Sequence, residues 1–251
     1  MGPPTTPTIL IHMYPIPQKI TMIIKYWSDY ACPFCYIAAA RMKRAMKEMG
    51  IEDECRLDFK AFRLNPNAKK VPRHTIVESF AKNYGMTMDQ ARAQVERISA
   101  MGRSEGLDFR YATALNSNTF DALRLTKLAQ SKGRAFGDAF IDRFYRAYFT
   151  DNLVLADHEV MRGLSLEVGM TEEEIDSVLN SDRFAEEVLR EEAEAHMMGI
   201  RAVPFFVIND AYGIPGAVDI EDMKMVLRKA YDEEEAEDLE GGMACGPDGC
   251  H

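Results

Sequence analysis

The sequence predicts an α/β protein in which the strands of a central mixed sheet are separated by a helical insertion. A strand–helix–strand pattern opens the chain and a strand–strand–helix pattern closes it. Between Pro72 and Pro204 the chain contains no other proline, which is typical of a long helical block. Hydrophobic residues make up 47% of the chain and charged residues 28%, so the composition is that of an ordinary globular protein.

The opening pattern is a βαβ unit. Ile20–Trp27 is apolar, rich in β-branched residues and as long as a strand. Cys32–Met49 is predicted to be a helix, because Pro33 suits the first helical position and Gly50 is a natural stop. In Cys55–Phe62 apolar and polar residues alternate, as they do in a strand. Two strands that are joined by a helix in this way are predicted to be parallel.

The middle of the chain is predicted to contain seven helices. Capping boxes occur at Thr87 with Gln90 and at Thr171 with Glu174. Further N-caps are predicted at Asn118, Asp157 and Ser181. The predicted helices lie near residues 74–84, 88–104, 119–132, 134–149, 157–168, 172–179 and 182–198.

The closing pattern consists of strands at Pro204–Ile208 and Tyr212–Pro215, followed by a helix over Asp219–Tyr231. We therefore expect one domain to be built from residues 20–65 and 199–231, with a helical domain of residues 66–198 inserted between them. Residues 1–19 are expected to be a disordered leader, and residues 232–251 a solvated acidic tail.

The charge of the chain is unevenly distributed. The net charge is −10, and residues 232–251 carry eight Asp or Glu residues and no Lys or Arg, so the rest is nearly neutral. Without a basic field, nucleic-acid binding is not expected. The chain has no apolar run near the roughly 20 residues that span a bilayer, and its leader lacks the features of a secretory signal. We expect a cytoplasmic protein that does not bind membranes.

The cysteines provide the clearest candidate chemistry. Five cysteines do not suggest a disulfide-stapled secreted domain, whereas Cys32-Pro-Phe-Cys35 lies where a strand ends and a helix begins. The start of a helix favours negative charge, so a thiolate at Cys32 would be stabilised there. Cys35, one turn further on, could attack a mixed disulfide at Cys32. Cys32 is therefore the predicted nucleophile, Cys35 the resolving thiol, and Pro33 and Phe34 candidate substrate contacts; half of a zinc site is the alternative.

Val203–Pro204, at the start of the third strand, is a second candidate. Proline cannot donate to a strand ladder and is therefore confined to strand starts and edges. A cis Val203–Pro204 bond would form a tight bend and leave backbone groups free to pair with an extended substrate beside the reactive sulfur. The alternative is an ordinary trans proline that opens a strand.

These motifs together carry a resemblance to a known family. Ser28-Asp29-x-x-Cys32-Pro-Phe-Cys35-Tyr36, followed by Gly199-Ile200-x-x-Val203-Pro204-Phe205, resembles the DsbA-like thioredoxin family, in particular its FrnE-like cytoplasmic branch. The segment Asn118-Thr119-Phe120-Asp121-Ala122-x-Arg124-Leu125 is similar to that branch as well. The resemblance implies a thioredoxin-like fold and dithiol–disulfide exchange by Cys32 and Cys35, with Pro204 as a cis-proline facing them. It further implies protein or small-molecule disulfides and dithiols as substrates, no required metal or organic cofactor, and glutathione as a redox partner.

Cys245 and Cys250 form a C-x4-C pair near the end of the acidic tail. FrnE-like proteins have a second cysteine pair with this spacing, so the resemblance implies an auxiliary redox pair. An inert tip and a metal clip that includes His251 are the alternatives. Cys55 alternates with apolar residues on its strand and is predicted to be a buried side chain without a catalytic role.

Two other functions fit parts of the sequence. A glutathione-dependent transferase or isomerase of the kappa type has a similar architecture, but such enzymes typically have a serine where this chain has Cys32 and do not need Cys35. A zinc-binding interaction protein could use the four thiolates of Cys32, Cys35, Cys245 and Cys250. The intact dithiol favours a thiol–disulfide oxidoreductase over both.

Overall fold

The computed structural model describes residues 22–242, and its centre is a four-stranded sheet. The strands are β1 (Met22–Ser28), β2 (Cys55–Ala61), β3 (Phe205–Ile208) and β4 (Tyr212–Pro215). Their order across the sheet is β2-β1-β3-β4. β1 and β2 are parallel, as predicted, and the other two pairs are antiparallel, so the predicted mixed sheet is confirmed.

The helical block between β2 and β3 contains all seven helices that the sequence predicts. Within residues 22–242 the α-helices are α1 (Pro33–Met49), α2 (Ile76–Tyr84), α3 (Met88–Ser104), α4 (Phe120–Ser131), α5 (Arg134–Phe149), α6 (His158–Val168), α7 (Glu172–Leu179), α8 (Ala185–Met197) and α9 (Ile220–Gly242). In this part of the chain no helix is both long enough and apolar enough to cross a membrane.

Most of the N-cap residues that the sequence predicts agree with the observed helix starts. The capping boxes at Thr87 and Thr171 are present, and the Asp157 side chain caps α6. The N-cap predicted at Ser181 is wrong, because α8 begins only at Ala185. Asn118 lies one residue before the N-cap of α4, yet its Oδ1 accepts the backbone N–H of Phe120 at 2.9 Å.

The last helix is longer than the sequence predicts. Its predicted end at Tyr231 is wrong, because α9 continues through the acidic segment to Gly242. Two carboxylates of this segment bind the β3–β4 hairpin: Glu234 accepts a hydrogen bond from Asn209 in the turn at 2.9 Å, and Glu233 accepts one from the hydroxyl of Tyr212 at the start of β4. These contacts offset the repulsion between neighbouring like charges on one helix.

The helical block packs directly on the sheet. The side chains of Trp27 and Ser28 point to opposite faces of β1. The Trp27 indole donates a hydrogen bond to the carbonyl of Glu191 on α8 at 2.9 Å, and the Ser28 hydroxyl is hydrogen-bonded to the hydroxyl of Tyr145 on α5. The buried apolar residues of sheet and helices form one continuous cluster.

A buried ion pair fixes α4 and α8 to the edge of the sheet. Lys127 Nζ lies 2.7 Å from Glu191 Oε2 and also donates to the carbonyl of Phe59 at 3.0 Å. Glu191 Oε2 accepts the backbone N–H of Ala61 at 2.6 Å. Lys127 is 3% exposed and Glu191 5%, so neither charge has ready access to water. Burial lowers the pKa of Lys127, and the Glu191 charge opposes that effect.

Replacing Glu191 with Leu is expected to lower the free energy of unfolding by about 3–5 kcal/mol, because it leaves the Lys127 ammonium buried and unpaired. The loss, measured by urea unfolding, should shrink between about pH 7 and pH 10. Burial without a partner lowers the pKa of Lys127 further in the folded state, so the unfolded chain binds more protons there and stability rises with pH. The exposed Glu186→Gln variant on the same helix is the control, with a change below about 0.5 kcal/mol. A loss of that small size for Glu191→Leu would contradict the prediction.

Candidate active site

Cys32 lies at the start of α1, directly after the turn that follows β1. It is the N-cap residue, its backbone is extended, and Pro33 occupies the first helical position, as the sequence predicts. The backbone N–H of Cys32 donates to the carbonyl of Asp29 at 3.0 Å, and that of Cys35 donates to the carbonyl of Cys32 at 3.2 Å. The Cys32 thiol makes no capping hydrogen bond to the helix, so its sulfur is free for other contacts.

The segment that precedes β3 approaches this sulfur from the far end of the chain. The Val203–Pro204 peptide bond is cis, and the Cys32 thiol donates to the carbonyl of Val203 at 3.6 Å. A third residue, Phe34 on α1, lies at the opening of the cavity, and 38% of its surface is exposed. The structure thus brings Cys32, Val203 and Phe34 together.

Cys35 lies behind Cys32 and is fully buried. Burial raises the pKa of its thiol well above the usual value, and the hydrogen bond to the Cys32 side chain raises it further. The hydrogen bond from the Ser28 side chain and that from the backbone of Asp29 act in the opposite direction, because both favour the thiolate.

Aromatic rings surround Tyr145, which lies near the buried thiol of Cys35. The rings of Tyr36 and Tyr145 stack with centroids 4.8 Å apart and planes 7° from parallel. Tyr30 packs edge-on against Tyr145 at 5.0 Å. Tyr145 therefore has a fixed ring, and its hydroxyl bonds the same Ser28 side chain that contacts Cys35.

Cys32 opens into a cavity of about 330 Å³. This volume lies within the range of pockets that bind small molecules. Although Cys32 is only 2% exposed, its side chain lines this cavity, so a small disulfide can approach the sulfur there. The residues that line the cavity come from α1, the loop after β2, α2, the loop before α4 and the segment before β3.

Three polar groups near the sulfur were not identified from the sequence as functional. Asp29 lines the cavity, accepts the backbone N–H groups of Ala31 at 3.1 Å and Leu64 at 2.8 Å, and has a pKa raised by burial. Ser117 lines the cavity, and its buried hydroxyl has no hydrogen-bond partner among the described residues. The buried hydroxyl of Tyr148 also lacks one there. Asp29 lies in the Ser28–Tyr36 motif and Ser117 directly precedes the Asn118–Leu125 segment, whereas Tyr148 lies outside the motifs quoted above.

The other cysteines lie elsewhere. Cys55 is fully buried at the start of β2, opposite Met22, whereas Cys32 follows the other end of β1. Its buried position is as predicted, and burial raises its pKa to about 12. Cys245 and Cys250 lie outside the described residues. Within residues 22–242 no cluster of three or more His, Cys, Asp or Glu side chains could hold a metal ion.

Replacing Ser28 with Ala is expected to slow the attack of Cys35 on a Cys32 mixed disulfide by about tenfold or more. A hydrogen bond to a charged group contributes about 1.5–3 kcal/mol, and this one favours the Cys35 thiolate. The attack requires the thiolate, so its rate should rise with pH, and the whole rate profile of Ser28→Ala should shift to higher pH. Decay of a preformed mixed disulfide, followed by mass spectrometry between about pH 6 and pH 10, measures this shift.

Tyr145→Phe is the matched variant for that experiment, since it keeps the ring stacked on Tyr36 and removes only the hydroxyl that bonds Ser28. It should shift the profile in the same direction by a smaller amount. An unchanged pH profile in Ser28→Ala, even with lower stability, would mean that Ser28 acts only in packing.

Known proteins share the family and the fold of this chain. The family model of the DSBA-like thioredoxin domain matches residues 23–228. The chain is 25% identical over 219 residues to the uncharacterised protein YwbO of Bacillus subtilis, covering 86% of this chain and 98% of YwbO.

Among solved structures, a probable DsbA oxidoreductase from Streptomyces coelicolor is 33% identical, with a TM-score of 0.79, covering 92% of this chain and 98% of that one. A 2-hydroxychromene-2-carboxylate isomerase shares the fold at 15% identity, with a TM-score of 0.62 over 87% of this chain and 98% of that one. The isomerase likeness concerns the fold alone, whereas the family match covers both halves of the site, Cys32 and Val203. The chain therefore belongs to the DsbA-like thioredoxin family.

Proposed function

We propose that this protein is a thiol–disulfide oxidoreductase of the FrnE-like branch, with Cys32 as the nucleophile and Cys35 as the resolving thiol. The observation that carries the proposal is the position of Cys32: its sulfur lies at the start of a helix, beside the Val203 carbonyl, and lines an open cavity. Cys35 is buried behind it, hydrogen-bonded to the same sulfur. One thiol is thus accessible to substrate and the other only to Cys32.

The reaction proceeds in two exchanges. The Cys32 thiolate attacks one sulfur of a substrate disulfide, the substrate S–S bond breaks, and the other substrate sulfur leaves as a thiolate. Cys35 then loses its proton and attacks Cys32, which releases the second substrate sulfur. The substrate has gained two electrons, and Cys32 and Cys35 form a disulfide. Run in reverse, the same steps oxidise a substrate dithiol.

The neighbouring groups favour these steps in different ways. The N–H groups at the start of α1 favour negative charge on Cys32. The Ser28 hydroxyl and the Asp29 backbone favour negative charge on Cys35, which burial disfavours. The backbone of Val203 lies beside Cys32, where an extended substrate segment would pair with it. Pro33 and Phe34, which line the cavity, complete the proposed substrate contacts.

The competing functions receive less support. A kappa-type glutathione enzyme would not need a second thiol hydrogen-bonded behind the first. The zinc alternative combines Cys32 and Cys35 with Cys245 and Cys250, which lie outside the described residues, and among residues 22–242 no cluster completes such a site. We further propose a cytoplasmic location, exchange with glutathione, and an auxiliary redox role for Cys245 and Cys250.

The direct test is the reduction of insulin by dithiothreitol with and without the full chain. We expect the rate to rise in proportion to the concentration of this protein. In a parallel assay the protein should be reduced and oxidised by glutathione buffers. The absence of acceleration with insulin, together with no reaction with small disulfides, would overturn the proposed function.

A further inference from the structure

A second cavity, of about 500 Å³, lies beside the cavity at Cys32. The two cavities share five lining residues: Asn65, Ala68, Ser79, Asn83 and Asn116. They therefore adjoin each other, and we call the two together the extended cavity. It begins at the Cys32 thiol and ends among exposed side chains of α2 and of the loop between β2 and α2.

The outer part of the extended cavity is positively charged. Lys69, Arg73, His74 and Lys82 line it, and no Asp or Glu of the described chain does so. Within residues 22–242, Lys69, Arg73 and Lys82 have no ion-pair partner, whereas His74 lies 4.0 Å from the carboxylate of Glu78. Three unneutralised cations around one opening attract anions.

The loop that carries this charge is held in place by the helical block. The backbone N–H of Asn118 donates to the carbonyl of Lys69 at 3.0 Å, and its side-chain amide donates to the carbonyl of Ala68 at 3.1 Å. A capping box at Thr75 and Glu78 then fixes the start of α2, on which Lys82 lies. The positive side chains are thus presented by an anchored backbone, as binding sites require.

The inner part of the extended cavity contains an unpartnered polar group. Ser117 is 1% exposed and lines the cavity with Cys32, and its buried hydroxyl makes no hydrogen bond to any described residue. Leaving a buried hydroxyl without a partner costs about 1–3 kcal/mol. A ligand with a polar group next to its sulfur would satisfy this hydroxyl.

We propose that the extended cavity binds low-molecular-weight disulfides that carry anionic groups. The reacting sulfur lies at Cys32, a polar group bonds Ser117, and the anionic groups lie among Lys69, Arg73 and Lys82. This inference rests on the proposed function and adds the size and charge of its substrate. The space at Cys32, about 330 Å³, has the size of a small-molecule pocket.

The test compares three disulfides that differ in charge, in single turnovers of the fully reduced protein. The probes are oxidised glutathione, which is anionic, bis(2-hydroxyethyl) disulfide, which is neutral, and cystamine, which is cationic. The dithiol of Cys32 and Cys35 supplies the two electrons, so no other reductant is needed. Acid quenching, alkylation and mass spectrometry of the peptide with both cysteines give the rate. Each rate is divided by the rate of the same disulfide with a free monothiol.

We expect the normalised rate with oxidised glutathione to exceed that with the neutral disulfide by about tenfold, with cystamine slowest. The difference should shrink as salt is raised, because exposed charges are screened. The triple variant K69Q/R73Q/K82Q should lower the glutathione rate about fivefold or more and leave the neutral rate within about twofold. Ser117→Ala should also lower the glutathione rate, with unchanged circular dichroism.

The matched control is the triple variant K47Q/R97Q/R228Q. It removes the same charge from exposed positions that line neither cavity and should leave all three rates within about twofold of the parent. If no disulfide oxidises the protein, the proposed function itself is overturned. If all three react at equal normalised rates, or both triple variants lose the same amount, the charge inference is overturned and the oxidoreductase function stands.

Discussion

Cys32→Ser should abolish catalysed disulfide exchange, with a loss of about 10³-fold or more in the rate of insulin reduction. A serine hydroxyl at the start of α1 would stay protonated at neutral pH and cannot form a mixed disulfide, so the first exchange has no nucleophile. Cys35 cannot take over, because it is fully buried behind Cys32. The reaction is followed as the turbidity of reduced insulin at several protein concentrations.

Cys55→Ala is the control for this experiment. Cys55 is also buried and also a free thiol, but it pairs with Met22 at the opposite end of β1 from the site. The variant should keep its activity within about twofold while losing a little stability. Substantial activity in Cys32→Ser, or a comparable loss in Cys55→Ala, would show that the nucleophile is assigned wrongly.

Cys35→Ser should lower multiple-turnover activity by about 100-fold and convert the protein into a stable mixed disulfide at Cys32. The first exchange remains possible, because the cavity in front of Cys32 is unaltered. The second has no thiol, since Cys35 is the group hydrogen-bonded to the Cys32 sulfur from behind. Intact-mass spectrometry after reaction with a small disulfide should show one adduct, removable by dithiothreitol.

Peptide mapping then locates the adduct, which should lie on the peptide with Cys32 and be absent from the parent protein after the same treatment. Cys35→Ser with undiminished turnover would exclude Cys35 as the resolving thiol. An adduct at another cysteine would exclude Cys32 as the site of the first exchange.

The sheet and most helices could be predicted because their signals are local. Alternating apolar residues identify the strand Cys55–Ala61. The Thr87 hydroxyl and the Gln90 side-chain amide, only three residues apart, identify the start of α3. The predicted start of α2 near residue 74 is slightly early. A capping box with the same spacing, formed by Thr75 and Glu78, sets the helix start at Ile76.

The predicted helix boundaries are wrong where contacts between residues far apart in sequence determine them. Ser181 has the side chain of an N-cap, but the chain makes a further turn and α8 begins after Phe184 in a left-handed conformation. The acidic segment of α9 has the composition of a solvated tail, and its helix is supported by contacts of Glu233 and Glu234 with the β3–β4 hairpin. Composition alone does not reveal such partners.

The same distinction applies to the candidate site. The motif around Cys32 and Cys35 could be recognised because its residues are adjacent in sequence. The role of Ser28 depends on Tyr145, which follows 117 residues later, and the position of Ser117 in the cavity wall depends on the packing of the helical block. No spacing rule connects Lys69 or Lys82 with Cys32, because a loop and a helix bring them to one opening only in the folded chain.

Asn118 anchors the loop after β2, so the wall of the cavity and the cysteine motif come from separate parts of the chain. Under the proposed function, disulfide exchange depends on the short stretch from Ser28 to Cys35. The residues that would select the substrate come from the loop and the inserted helices. Under the proposed function we therefore expect relatives to vary this loop, and with it the thiol that they accept, while they keep the stretch from Ser28 to Cys35. Related chains that share the dithiol should differ most in the charge of the residues between β2 and α2.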